Sequence, residues 1–391
     1  MKAGGILLLL TLVLGGCRGP LPEGQPTSAP PPPDPIAAQY RRPVSEWPAP
    51  EVAEGIDWQE LGPLPPAPAG LNWTDKTRLG RDLFFDPRLS SSGQLACASC
   101  HDPQHGWGDG RRVAFGHNRM PGTRNVPSLI NVAYWDRLFW DGRAPSLEAQ
   151  VIGPLVDANE MHHTPAGAAA RIAERPEYAA AFTAAFGDAE VTYPRIAEAI
   201  ADFERRILSR SNRFDAFVNG NLRALNDQEL RGLHWFRTQG GCMSCHPGPL
   251  FTDQQFHNLG LNFYGRPLQD LGRYEVTRRA EDVGTFRTPG LRDVAYTAPY
   301  MHNGMIPGLR NVLLFYNKGG AHPPKRAGQA DDPLFPRTSP LLKPLKLSRD
   351  QIDDMIAFLE ALSERQNGLS MNFLQGLRDK AQEDAAAGAG P

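Results

Sequence analysis

The sequence predicts a mainly α-helical protein with long loops and little sheet, built as two similar halves. Two observations carry this expectation. The pattern C-x-x-C-H occurs twice, as "CASCH" from Cys97 to His101 and "CMSCH" from Cys242 to His246, and each copy follows an apolar stripe at helical spacing. Strand patterns are scarce and short, while the 391 residues include 39 glycines and 37 prolines, which favour long connections between short elements.

The chain opens "MKAGGILLLLTLVLGGC", with Lys2 ahead of an apolar run from Ile6 to Leu14 and small residues before Cys17. That run is too short to span a membrane and reads as the apolar region of a signal peptide. "LGGC" resembles the lipobox of bacterial lipoproteins, which are cleaved before a cysteine that then carries lipid. An ordinary secreted protein with an incidental Cys17 is the competing reading. Arg18 follows the cysteine where an aspartate would favour inner-membrane retention, so the outer membrane is expected. The expectation is a signal peptide over 1–17, membrane attachment only through lipid at Cys17, and a location on the periplasmic side of the bacterial envelope. Residues 18–50, including "APPPPDP", are proline-dense and read as a semi-rigid polyproline tether.

Each C-x-x-C-H is introduced by a helix. In "DKTRLGRDLFFD", Leu79, Leu83 and Phe84 share one face. In "NDQELRGLHWFRTQGG", Asn226 is the expected N-cap with Glu229 three residues on, Leu230, Leu233 and Phe236 make the stripe, and Gly240-Gly241 ends it. Between the repeats, "TPAGAAARIAERPEYAAAFTAAF" and "TYPRIAEAIADFERRILS" read as two further helices. After the second repeat, "SRDQIDDMIAFLEALSE" carries a capping box at Ser348 and Gln351 and a stripe of Ile352, Met355, Ile356, Leu359 and Leu362.

Five cysteines are present, and four lie in the two repeats. C-x-x-C-H is the attachment pattern of c-type haem: two thiols form thioethers to the porphyrin edge, and the adjacent histidine is placed to bind iron. A thioredoxin-like pair needs no trailing histidine and sits in a βαβ pattern not found here. Zinc shared by the two pairs is disfavoured, because they are far apart in sequence and each has its own histidine. A disulfide within either pair would close a strained loop. Cys97, Cys100 and His101 are thus the candidates for one covalent haem c, and Cys242, Cys245 and His246 for a second. A helix leading into the motif and another after it describe a cytochrome c-like domain. The expected organisation is an N-terminal domain over 51–220, a C-terminal domain over 221–366 and a tail over 367–391. With a net charge of −2 and no basic block, nucleic acid is not an expected partner.

The chain resembles the bacterial dihaem cytochrome c peroxidases and their MauG-type relatives from about Leu79 to Leu362. The resemblance rests on "LGRDLFFDPRLSSSGQLACASCH", "GH" at 116–117, "RNVPSLINV", "FWDGRA", "QVIGPL", "NEM", "CMSCH", "FRTPGLRDVAYTAPYMHNG" and "FYNKGG", in that order. It implies that the N-terminal haem is peroxidatic and the C-terminal haem transfers electrons. His117 matches a distal histidine that occupies iron in resting peroxidases. Gln150 and Glu160 match the pair beside the peroxide, where a carboxylate moves a proton between the two oxygens and an amide hydrogen-bonds the bound oxygen. Trp140 matches the tryptophan between the haems. Asn125, with the carbonyls of Thr297 and Pro299, matches a calcium site.

Simple peroxidases place a methionine opposite the second histidine; here the matching position is Tyr316, as in MauG, with Met301 and Met305 as the competing ligands. The resemblance implies reduction of hydrogen peroxide, with electrons from a small cytochrome c or cupredoxin. The alternative is MauG-like use of high-valent haem to oxidise Tyr or Trp of a protein substrate. A passive electron-transfer cytochrome is a third reading, disfavoured because a wire needs no acid–base group beside open iron. Family members are often dimers, which makes a homodimer an option. His302 matches a position near the second haem; His162 and His163 have no assigned role; His105, His234, His257 and His322 read as surface or packing residues.

Overall fold

The computed structural model describes residues 33–363, so the signal peptide, Cys17 and the tail over 367–391 lie outside the described residues. Within them the chain is mostly helical, and the only sheet is one antiparallel pair, Phe256–His257 with Phe286–Arg287. No described helix is long and apolar enough to cross a membrane.

Two apolar cores organise the structure. The first is built from residues between Leu79 and Ile207 and the second mainly from residues between Phe214 and Leu362. Each is centred on a helix crossing with the same parts. The Asp75–Phe84 helix, capped by the Thr74 hydroxyl accepting from the Thr77 N–H at 3.2 Å, crosses the Tyr193–Glu204 helix. The Asp227–Arg237 helix, capped reciprocally by Asn226 and Glu229, crosses the Arg349–Ala361 helix. A glycine sits at each crossing. A Cβ on Gly80 would collide with the Ala199 carbonyl, and one on Gly232 with the Asp354 carbonyl. Only a bare Cα lets these backbones approach so closely, and that closeness holds each helix-to-motif connection in place.

Three differences from the sequence reading have local causes. From Asp34 on, the proline-dense segment is packed rather than extended as a tether. Tyr40 is fully buried and Trp47 nearly so, both in the second core; the Tyr40 hydroxyl meets His234 Nδ1 at 3.0 Å, and the Arg237 guanidinium lies over both rings. Two large aromatic side chains bury enough apolar surface to order a segment whose composition alone favours an open chain. Leu61, expected with the N-terminal domain, also joins the second core, as do Phe214 and Phe217 of the Arg213–Val218 helix, which places the change of core between 207 and 214. The expected helix over "TPAGAAARIAERPEYAAAFTAAF" is two, Pro165–Ala173 and Pro176–Phe186, because Pro176 lacks the N–H that would continue the first and starts the second instead.

The halves are also tied to each other. Arg124 pairs with Asp141 and, across the junction, with Asp270, both at 2.6 Å and largely shielded from water. Because the crossings leave no room for a methyl group, Gly80→Ala and Gly232→Ala are each expected to destabilise the holoprotein by about 1–3 kcal/mol, measured by denaturant unfolding. A midpoint unchanged in both variants would show that the crossings yield without cost.

Candidate functional site

Each C-x-x-C-H forms the same tight turn. His101 N–H donates to the Cys97 carbonyl at 3.0 Å, and His246 N–H to the Cys242 carbonyl at 2.8 Å. None of these four cysteines is joined in a disulfide. Each imidazole is then fixed from behind: His101 Nδ1 donates to the Trp107 carbonyl at 2.9 Å and His246 Nδ1 to the Phe251 carbonyl at 2.8 Å. With Nδ1 donating to a carbonyl, Nε2 carries the lone pair that a metal takes. Burial favours the neutral ring at both positions, pushing the His101 pKa down to about 4 and lowering that of His246. The carbonyls are aimed by two bulky residues in left-handed backbone, Trp107 at φ 60° and Phe251 at φ 56°, a conformation rare for such side chains.

In the N-terminal half these groups open onto a cavity of about 860 Å³, lined among others by Cys97, Cys100, His101, Trp140, Gln150 and Glu160. Gln150 projects from the Leu147–Val156 helix, capped by Ser146, and Glu160 from the turn that follows. Burial raises the Glu160 carboxyl above its ordinary range, Asp157 adds to the rise, and Arg143 opposes it. His117 is not among the lining residues. Its N–H donates to the Glu160 carbonyl at 2.7 Å, and its ring lies edge-on to His162 with centroids 4.6 Å apart. The segment is pressed so closely onto the next turn that a Cβ on Gly116 would collide with the Asn159 carbonyl.

Three further cavity residues carry no mark in their sequence neighbourhoods. Among the described residues, Tyr193 and Glu204, at the two ends of one helix, each carry a buried oxygen without a partner, and Arg287 carries a buried, unpartnered Nε. Burial lifts the Glu204 pKa to about 8. Orphaned polar atoms on the cavity wall fit a bound group with a polar edge, and the Arg287 guanidinium suits the carboxylates of a haem. Two thiols, a neutral imidazole with Nε2 free and a large cavity therefore fit a covalently held haem.

In the C-terminal half, Tyr316 lies near the end of the Leu309–Asn317 helix. Burial pushes its phenol pKa up, as do Cys245 and Cys242 beside it, and its hydroxyl has no hydrogen-bond partner among the described residues. Met305 lines the N-terminal cavity instead. His257, read from sequence as a surface or packing residue, pairs with Asp253 at 2.7 Å and lies within 4.8 Å of Cys245 Sγ. Burial opposes its charged form, but the Asp253 carboxylate prevails and the pKa rises.

Trp140 joins the halves: its indole N–H donates to the Asn125 carbonyl at 2.9 Å, and its own carbonyl accepts from Arg287 N–H at 2.8 Å. Buried His302 stacks on Phe286 with centroids 3.5 Å apart. Asn125 also lines the cavity, its amide donating to the Arg111 carbonyl at 2.8 Å; Thr297 backs onto Gly106, and Pro299 follows the cis Ala298–Pro299 bond.

Comparison with known proteins gives the same picture. The family model for di-haem cytochrome c peroxidase matches residues 74–223. The cytochrome-c peroxidase IdrP1 of Pseudomonas sp. (strain SCT) is 38% identical over 338 residues, spanning 78% of this chain and 85% of that protein. The methylamine utilization protein MauG of Methylophilus methylotrophus is 36% identical over 305 residues, spanning 76% and 85%. Among solved structures, a MauG-like protein associated with microbial copper homeostasis superposes with a TM-score of 0.67 at 30% identity, covering 81% of this chain and 96% of that one. Paired haem-attachment turns on twin helix crossings, with relatives of this identity and coverage, place this chain in the dihaem cytochrome c peroxidase and MauG family of haem oxidoreductases.

Proposed function

We propose that the protein reduces hydrogen peroxide in its N-terminal cavity with electrons delivered through its C-terminal half. The observation that carries this reading is that Gln150 and Glu160 line the cavity onto which Cys97, Cys100 and His101 open. Those three residues would hold one haem, and Cys242, Cys245, His246 and Tyr316 the other. When bound, the N-terminal haem supplies an open iron position and the electrons that break the O–O bond. Glu160 accepts the proton from the near oxygen of peroxide and returns it to the far oxygen, which leaves as water. A raised pKa suits both transfers, since the group then gives up a proton nearly as readily as it takes one. Gln150 hydrogen-bonds the oxygen that stays, and Trp140 relays electrons between the halves.

A second reading, oxidation of Tyr or Trp on a partner protein, is favoured by Tyr316. A phenolate is a hard anionic ligand that stabilises oxidised iron, which makes the second half a store of oxidation rather than an electron inlet. The relatives include both cytochrome-c peroxidases and MauG proteins. With the His117 ring resting against His162 and Gln150 and Glu160 on the cavity lining, this reading has the site accept peroxide without prior reduction. The proposal extends to calcium at Asn125, Thr297 and Pro299, and to a lipid anchor at Cys17 on the periplasmic side, supported by the family resemblance and the leader sequence. A small cytochrome c or cupredoxin is the proposed donor.

Glu160→Gln is expected to slow peroxide cleavage at least about 100-fold in stopped-flow mixing, with both haem absorption spectra retained. The carboxylate form is the proton acceptor, so the wild-type rate falls as pH drops through the Glu160 pKa. Its acid limb is therefore expected above the ordinary carboxylate range and absent in the variant; a wild-type profile flat through that region would remove Glu160 from the reaction. For Tyr316→Met, the ferric spectrum of the second haem is expected to change from that of wild type, whereas identical spectra would exclude Tyr316 as its ligand.

A further inference from the structure

The residues behind the two haem-binding histidines differ in one chemical respect. In the C-terminal half, Phe251, whose carbonyl accepts from His246, is surrounded by Phe214, Phe236 and Phe358, with centroids 5.5, 6.1 and 6.3 Å away. Phenyl rings are hard to oxidise. In the N-terminal half the same place is taken by Trp107, whose indole gives up an electron far more readily.

From Trp107 a ring path runs to the surface. The buried Phe203 ring lies 6.0 Å from Trp107 and 6.3 Å from Trp73, centroid to centroid. Phe84 closes the inner end, 6.0 Å from Trp107 and 6.5 Å from His101. These spacings are those of aromatic rings in contact. Trp73, just before the N-cap of the Asp75–Phe84 helix, is 53% exposed, the outer end of the path. Trp58 is 42% exposed and makes no ring contact among the described residues, so exposure alone does not create such a path.

We propose that Trp107, Phe203 and Trp73 form a one-electron route from the His101 side of the N-terminal site to the surface, and that Trp73 is a redox site where phenolic donors are oxidised. This rests on the reading that peroxide is reduced in the N-terminal cavity. Phe203 is a bridge between two oxidisable indoles, not a stop on the route. Trp107 yields an electron inward and is refilled from Trp73, leaving an indole radical at the surface. A phenol at that surface restores the indole by giving up one electron and one proton. Two such passages balance one peroxide: two phenols and one hydrogen peroxide give two phenoxyl radicals and two water molecules. With no donor present, Trp73 loses both electrons itself and gains one oxygen atom, so that tryptophan and hydrogen peroxide give hydroxytryptophan and one water. The C-terminal half takes no part in this route.

The test uses the dihaem holoprotein exposed to hydrogen peroxide, followed by peptide mass spectrometry. Oxygen gain at Trp73 is expected to exceed that at Trp58 by roughly an order of magnitude per peroxide consumed. Trp107→Phe, which keeps the backbone carbonyl for His101, is expected to remove that excess while the haem absorption is retained. Guaiacol as phenolic probe is expected to spare Trp73 and to be oxidised several-fold more slowly by Trp73→Phe. If peroxide is consumed but Trp73 and Trp58 gain oxygen equally, or the excess survives Trp107→Phe, the route is overturned and the peroxidase reading stands. If no peroxide is consumed, both fall.

Discussion

Each C-x-x-C-H histidine donates from Nδ1 to a backbone carbonyl, and both halves are arranged around that hydrogen bond. It sets the tautomer, leaves Nε2 as the metal-binding atom and holds the ring in one orientation. Making it takes an unusual backbone, since the carbonyl of Trp107 or Phe251 reaches the imidazole only from a left-handed conformation that bulky residues avoid. The surrounding aromatic packing holds that conformation. Behind both packing layers lie the glycine-mediated helix crossings, which anchor the helix that feeds each motif.

The two halves repeat this scaffold and differ in what they set against it. The N-terminal half opens a cavity carrying Gln150, Glu160 and several buried polar atoms without partners. The C-terminal half sets a phenol beside its cysteines and phenyl rings behind its histidine. A duplicated frame with unlike surroundings suits the proposed division, peroxide in one half and charge in the other. Trp140, hydrogen-bonded to residues of both halves, is where the two environments meet.

What the sequence made legible was local. The haem turns, the Asn226 cap and the Ser348 capping box are each specified within a few residues, and the structure forms them as read. The break at Pro176 is equally local, since a proline without an N–H ends one helix and starts the next. Packing of the segment from Asp34 depends on where Tyr40 and Trp47 land, which a composition rich in proline does not reveal. Glu204, Tyr193 and Arg287 enter the cavity through tertiary placement, and nothing in their sequence neighbourhoods marks them. His117 matches its motif, and the fold sets its ring edge-on to His162, a contact its sequence neighbourhood does not reveal. His257 looked like an ordinary polar residue until folding set it between Asp253 and Cys245.

We propose that the N-terminal site is open to peroxide, with Gln150 and Glu160 on its lining and the His117 ring turned against His162. Mixing the fully oxidised dihaem protein with hydrogen peroxide, with no reductant present, tests it most directly. Peroxide consumption and a change in the haem absorption within seconds are expected. A protein inert to peroxide until one electron has been added would contradict it, and would mean that a ligand closes the N-terminal iron in the oxidised state.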